Sequence, residues 1–386
     1  MKIAQVCPYD IARPGGVQRH ILDLSSSLAA MGHQVAVIAP RVSPARPAPP
    51  VRTTQGNVTI IEIGSARLVS VNETVLEVSF AFGDERKKLD HMMRSGSFDV
   101  VHFHTPLSPF LALQALWRST AVKIGTFHAV PPETASASIQ RFLYRTLNRR
   151  VIAKLDGVIL ASSVQEDLRL AGSILPPCTD LRRFGSGAAP LAAFRDDRVN
   201  ILFVGRLEPR KGAAILLEAF AVLRQQNPRT RLLVAGEGPE RQRLERDVAE
   251  AGIPDVVFLG RIDDADLPRL YATCDVFCAP SIYGEGFGIV LVEAMASGKP
   301  VVAAANAGYA TLLHGEAARF LVGPGDVSDL RSKLGALAAD SELRTRLGAW
   351  GQREARRYDS AQLAPAFVAV YEQAMVSRLS KAGALQ

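Results

Sequence analysis

Short apolar runs alternating with amphipathic stretches, in both halves of the chain, predict an α/β protein of two doubly wound domains. Three observations carry that prediction. The chain has 386 residues, too many for one ordinary core. Apolar residues at 48% and charged residues at 22% describe a folded globular chain. Glycines also stand between a strand and a helix twice, at Gly15-Gly16 and across Gly284, Gly286 and Gly288. A stretch rich in Gly, Ala and Asp, 185–197, reads as the linker. The domains are then 1–190 and 196–357, with a last helical stretch over 358–386.

Composition narrows the class. No uncharged apolar run reaches about 18 residues, so no membrane span is expected. The start, M-K-I-A-Q-V-C-P-Y, reads as a strand without a signal-peptide core. Four scattered cysteines read as buried thiols, and the expected location is a reduced cytoplasm. The net charge is +7, and all of the excess lies early: 23 Lys+Arg against 16 Asp+Glu up to Arg198, then 22 against 22. The first half should therefore meet an anionic partner. With 6% aromatics and no RNA-type motif, nucleic acid is not that partner.

In order, Lys2 to Val6 reads as a strand, Val17 to Met31 as an amphipathic helix and Gln34 to Ile38 as the returning strand of a βαβ unit. Gly15-Gly16 stands at that helix start, where a phosphate could approach, although the pair alone also fits a tight turn. Four prolines within 42–51 read as an exposed loop. Val58 to Ile63 and Phe98 to His104 are strands, the latter ending in His102 and His104 on one face. Histidines so placed are as a rule structural. Ala121 to Phe127 is the next strand, with His128 just beyond it, at the sheet edge where doubly wound folds bind ligands. Over Ser138 to Leu155, Arg141, Arg145 and Arg149 repeat every four residues. This reads as a basic helix suited to an anionic membrane surface, or as a solvated one.

Val199 to Val204 opens the second half. Arg206, Arg210 and Lys211 cluster after it in G-R-L-E-P-R-K-G, and their best use is to neutralise a diphosphate. Asp264 and Asp266 invite a metal-binding reading, but they start a helix and read as caps. Val276 to Ala279 is a strand leading through Pro280 into the three glycines. A helix then runs from about Phe287 or Gly288 to Ser297 and stops at Gly298. Its first N–H groups favour a phosphate. Glu285 and Glu293 flank that place, and as carboxylates they suit sugar hydroxyls rather than phosphate.

G-E-G-F-G-I-V-L-V-E-A-M-A-S-G-K-P-V-V, with E-x7-E between Glu285 and Glu293, resembles the nucleotide-sugar signature of retaining glycosyltransferases of family 4. V-C-P-Y, P-G-G-V-Q-x-H, S-A-R-L, E-P-R-K-G and G-R-I-D-D-A extend the resemblance, within that family, to the phosphatidylinositol mannosyltransferases. It covers nearly the whole chain. It implies a GT-B fold, two facing Rossmann-like domains with the active site in the cleft, and a last helix that crosses back to the first domain. It also implies a metal-independent hexosyltransferase without cofactor, using GDP-mannose or a UDP-hexose. The acceptor would be a membrane-associated lipid or a glycan, reached from the inner membrane face. By this resemblance His128 contacts the transferred sugar, Arg206 and Lys211 hold the diphosphate, and Glu285 orients the sugar. Gly16, Phe287, Gly288, Ile289 and Glu293 bind the donor, Glu293 through its ribose, and Arg261, Ile262 and Asp263 border the base. Tyr9, Gln18, Arg67 and Arg210 face the acceptor.

Two departures stand out. P-P-C-T-D over 176–180 replaces the usual P-N-G-x-D while keeping Asp180. After the histidine, A-V-P-P-E places Glu133 near the lysine that serves a lipid phosphate, and a carboxylate there would repel a phosphorylated inositol. A UDP-sugar enzyme with a soluble or polysaccharide acceptor is the alternative function, and a non-catalytic nucleic-acid-binding protein ranks below it. A sugar-nucleotide epimerase shares the fold but would be expected to show a carboxylate and histidine set not found here.

Overall fold

The computed structural model describes residues 1–13, 15–41, 52–55, 57–71, 74–106, 110–128, 149–163, 171–185 and 187–383. The chain forms two compact units, Met1–Thr179 with Ser360–Gln386, and Asp180–Asp359. The first division falls ahead of the expected linker. Leu181 and Phe184, in a 3-10 turn whose N–H of Arg182 is capped by Asp180, are buried in the second core. The proline-rich loop, Glu133, Arg141 and Arg145 lie outside the described residues, while Arg149 and Arg150 are exposed.

In the first unit, strands β1 (Lys2–Val6), β2 (Gln34–Arg41), β6 (Val100–His104), β7 (Val122–Phe127), β8 (Gly157–Leu160) and β9 (Ser173–Ile174) are joined by β3 (Arg52–Gln55), β4 (Val58–Val71) and β5 (Thr74–Phe80). The order is β3-β4-β2-β1-β6-β7-β8-β9, with β5 on β4. Among the described residues, only β3 and β5 run antiparallel to β4. The strand expected to end at Ile63 continues to Val71, because β5 pairs along it although Ser65, Arg67 and Ser70 interrupt its apolar run. Alternate residues of the central strands enter two layers. Ile3, Val37, Val100 and Ile124 pack with Ile21, Leu24 and Leu28 and with Phe367 and Tyr371 of the helix Ser360–Gly383. Ala4, Ile38, Val101 and Phe103 pack with Leu89, Met93 and Leu116.

The second unit is an all-parallel sheet of β10 (Val199–Val204), β11 (Thr230–Ala235), β12 (Val256–Gly260), β13 (Val276–Ala279), β14 (Val301–Ala304) and β15 (Leu321–Val322), in the order β12-β11-β10-β13-β14-β15. Strand order reverses between β1 and β6 in the first sheet and between β10 and β13 in the second. Such reversals open a crevice at the carboxyl ends of the strands, where doubly wound sheets take ligands.

Candidate functional site

In the second unit the cationic turn leaves β10 and lies against the chain leaving β13. Gly212 sits at φ 74°, and a Cβ on it would fall 2.2 Å from the Pro280 carbonyl oxygen. Only glycine lets the two loops meet so closely. The N–H of Ile282 donates to the Arg210 carbonyl at 2.8 Å, which fixes them together. Charge then runs across the join. Arg206 and Arg210 pair with Glu208 at 2.8 and 3.1 Å, and Arg210 and Lys211 pair with Glu285 at 3.2 and 2.5 Å. The Glu208 side chain is 1% exposed and that of Arg206 is 42% exposed. Three cations thus share two carboxylates, and the turn keeps an excess positive charge.

The glycine-rich loop ends at Gly288, the N-cap of the helix Ile289–Ala296, with φ 113° and no side-chain cap bond. A Cβ there would lie 2.7 Å from Cδ1 of the buried Tyr309. The helix therefore starts without a capping side chain over its first N–H groups, which have no partner within a helix. Leu291, Val292, Ala294 and Met295 bury it nearly all round, which holds that start in place. Phe287 is buried edge-on to Tyr358 at 5.2 Å, and Ile289 is half-buried.

Glu293 is buried, and its Oε2 accepts from the Tyr271 hydroxyl at 2.8 Å. Burial and this carboxylate push the Tyr271 hydroxyl far above its ordinary range, so it remains a donor. Arg261 and Asp263 are exposed after β12, two places from β10, and Ile262 packs partly on the core. The capping expected of Asp264 and Asp266 is not what starts the next helix. Asp266 stands at the N-cap, but its carboxylate accepts from Arg269 at 3.1 Å and makes no side-chain cap bond. The Asp263 carbonyl instead accepts the N–H groups of Asp266 and Leu267.

In the first unit Gly16 begins the helix Gly16–Ala30, behind an N-cap Gly15 that has no side chain to offer. The loop before it is tied down by Glu77 of β5, which accepts from the Asp10 N–H and from Arg13 at 3.0 Å. Gln18 donates to the Asp10 carbonyl at 3.4 Å, and Tyr9 packs partly on the core. Arg67 is exposed on β4, opposite Val78.

His128 belongs to a group of four histidines. Its Nε2 lies 3.0 Å from Nδ1 of His104, and its ring 5.2 Å from that of His20. His104 Nε2 is 2.7 Å from Oε1 of Gln5. His102 sits between Tyr371 Oη at 2.8 Å and Thr126 Oγ1 at 2.6 Å. His20 accepts the Cys178 N–H at Nδ1, 3.0 Å away, so its proton is on Nε2, which has no partner among the described residues. Burial lowers all four, His20 to about 4 and the others well below 6.5, and holds the rings neutral. One nitrogen each of His20, His104 and His128 lies within 4.8 Å of the other two, close enough for a metal ion. His104 and His128 are, however, already bonded to each other, and the only nitrogen His20 leaves open carries its proton.

Two family descriptions match the chain, Glycosyltransferase Family 4 over residues 14–172 and Glycosyl transferases group 1 over 192–354. The phosphatidyl-myo-inositol mannosyltransferase of Mycobacterium leprae is 33% identical over 379 residues, 98% of each chain. The chain belongs to the family 4, group 1 glycosyltransferases. It is a hexosyltransferase with the GT-B fold. Sucrose-phosphate synthase from Thermosynechococcus elongatus superposes with a TM-score of 0.75 at 25% identity, covering 97% of this chain and 99% of that one. A D-inositol 3-phosphate glycosyltransferase from Xylanimonas cellulosilytica is 29% identical over 94% of this chain and 93% of its own.

The candidate sites of the two units also hold residues that the sequence did not announce. Glu208 is written in the cationic motif, but only the fold shows it buried between two arginines. Tyr271 reads as one apolar position of a short helix, 22 residues before the glutamate it serves. Tyr309, whose hydroxyl meets Ser281 at 3.1 Å beneath Gly288, lies in no recognisable pattern. Glu77, the anchor of the loop ahead of Gly16, sits on a strand that periodicity did not single out.

Proposed function

We propose that this glycosyltransferase moves mannose from a nucleoside-diphosphate sugar to an inositol hydroxyl of an anionic membrane lipid, with retention at the anomeric carbon and without a bound metal. One observation carries the donor side: Arg206, Arg210 and Lys211 are locked by Gly212 against the loop of the uncapped helix at Gly288, at the point where the sheet order reverses. The phosphatidyl-myo-inositol mannosyltransferase relatives support the sugar and the acceptor class, and Glu133 requires the lipid phosphate to be held elsewhere than beside it.

In this reading a diphosphate competes with Glu285 for the N–H groups of Arg210 and Lys211. Glu285, once displaced, turns to the hydroxyls of the sugar. Arg206, Lys211 and the helix start then carry the charge of the leaving diphosphate, electrostatic help of the kind that dominates many active sites. The acceptor hydroxyl attacks the same face that the diphosphate leaves, its proton passing to the departing diphosphate oxygen, and the transferred sugar rests against His128. Glu293, held by Tyr271, receives the ribose hydroxyls, with Phe287 and Ile289 alongside and Arg261 to Asp263 at the base. Tyr9, Gln18 and Arg67 face the acceptor, and the basic first half draws the enzyme to the inner face of the membrane.

The test is to incubate the protein with GDP-mannose and a panel of UDP-hexoses in the presence of a lipid extract, and to identify products by mass spectrometry. A mannosylated inositol lipid formed in EDTA is the expected outcome. A product formed only on water-soluble inositol compounds would select a second reading, which the D-inositol 3-phosphate glycosyltransferase relative favours. Strict dependence on Mg²⁺ or Mn²⁺ would overturn the metal-free mechanism.

A further inference from the structure

We propose that Gln5, acting through His104, holds the proton of His128 on Nε2, so that His128 offers its Nδ1 lone pair to a sugar hydroxyl as a hydrogen-bond acceptor. The assignment of sugar to His128 rests on the function proposed above; the tautomer does not.

The argument is one of donors and acceptors. Gln5 is fully buried in the middle of β1, between β2 and β6, and its side-chain oxygen faces Nε2 of His104 at 2.7 Å. An amide oxygen only accepts, so His104 carries its proton on Nε2. Burial keeps that ring neutral, which leaves a lone pair on His104 Nδ1. The nitrogen facing it, His128 Nε2 at 3.0 Å, must then be the donor. His128 is neutral as well, so its remaining nitrogen, Nδ1, is an acceptor. Nδ1 has no hydrogen-bond partner among the described residues, and the His128 side chain is partly exposed.

The other end of the chain follows from the same orientation of the Gln5 amide. The Gln5 amide nitrogen donates to Tyr371 Oη at 3.3 Å, which leaves the Tyr371 hydroxyl to donate to Nδ1 of His102 at 2.8 Å. His102 then donates from Nε2 to Thr126. Each of these five contacts then joins one donor to one acceptor. Reversing the Gln5 amide would reverse His104 and place the His128 proton on Nδ1. His128 would then be a donor, suited to a different contact. Gln5 and His104 are thus positioning residues for a ring that two tautomers would otherwise share.

Long-range proton–nitrogen NMR on ¹⁵N-labelled full-length protein reads the tautomer of each histidine, with His128→Gln used to assign its signals. The native protein should show His128 protonated at Nε2. Gln5→Leu removes the acceptor and should mix the two His128 tautomers. It should also lower kcat about tenfold with the donor KM little changed, the size of one hydrogen bond made to the reacting sugar. Tyr371→Phe disturbs the same core but spares the Gln5–His104 bond, so it should leave the His128 tautomer and kcat near native. It thereby separates positioning from loss of packing. A native His128 protonated at Nδ1 overturns the proposal, as do equal effects of Gln5→Leu and Tyr371→Phe on the tautomer. A mixed tautomer in Gln5→Leu with native kcat overturns the link to the reaction while leaving glycosyl transfer standing. Failure of the native protein to transfer any sugar would instead strike the functional reading, with the tautomer still legible in the spectrum.

Discussion

The two units build their candidate sites from opposite materials. Beside β10 and β13 the site consists of formal charges, three cations sharing Glu208 and Glu285. Beside β1, β6 and β7 it consists of imidazole rings that burial keeps neutral and of an amide. The charged set suits a ligand that brings its own charge, because ion pairs can be exchanged for a diphosphate. The neutral set suits hydroxyls, whose direction of donation must be settled in advance. The difference teaches where each half is vulnerable: one to loss of a charge, the other to gain of a proton.

The largest effect is expected from the charges. Arg206→Ala or Lys211→Ala should lower turnover roughly 100-fold or more, the cost of one preorganised charge contact. EDTA should leave native turnover intact. Steady-state kinetics on both variants would check this, and near-native turnover in both would remove the charge contrast.

Acid should strike the first unit before the second. An unfolded histidine takes a proton near 6.5, whereas His20 in the folded unit takes one only at about 4. Between those values the unfolded chain binds more protons, so stability present above pH 6.5 is lost as the pH falls toward 4. His20 alone accounts for roughly 3 kcal/mol over that range, and His102, His104 and His128 act in the same direction. In the second unit Asp180, Asp196 and Glu316 are held below their usual carboxylate values by arginines, so their contribution is lost only at lower pH. The chain has two tryptophans, Trp117 in the first unit and Trp350 in the second. Single-tryptophan variants can therefore follow each unit by fluorescence in urea at pH 7 and pH 5. A Trp117 midpoint that does not fall, or falls no more than that of Trp350, would contradict the assignment.

Glu208→Ala should be milder, since Arg206 is open to water and Arg210 retains Glu285. Neither arginine is left buried and unpaired, so the cost is about 1 kcal/mol, and calorimetric melting would register it. The smallest effect concerns the surface. Anionic vesicles should retain the protein at low salt and release it at high salt, and charge reversal at Arg145 and Arg149 should weaken retention. Equal retention on neutral vesicles would remove the electrostatic membrane reading.

Much of this was legible in the sequence where local chemistry dictates structure. Apolar runs marked β10 and β13, and Gly288 and Gly298 bracketed the helix between them, because a helix start and stop are local events. Alternation placed His102 and His104 on one face. The reversal of strand order was not legible, since it is a property of the sheet and not of any segment. Nor were the pairings that complete each site. Tyr371 reaches Gln5 across 366 residues and Tyr271 reaches Glu293 across 22. Such partners are chosen by packing, which leaves no period in the chain.

Calorimetric titration of GDP and UDP tests the proposed donor site of the second unit most directly. Glu293→Gln should weaken the bare diphosphate, because the ribose loses its carboxylate. Glu285→Ala should leave that affinity unchanged or raise it, because Arg210 and Lys211 lose a competitor, while transfer falls as a contact to the reacting sugar is lost. Loss of nucleotide affinity in Glu285→Ala with native affinity in Glu293→Gln would reverse the two roles. No change in either variant, in binding or in transfer, would contradict the placement of the donor beside β10 and β13.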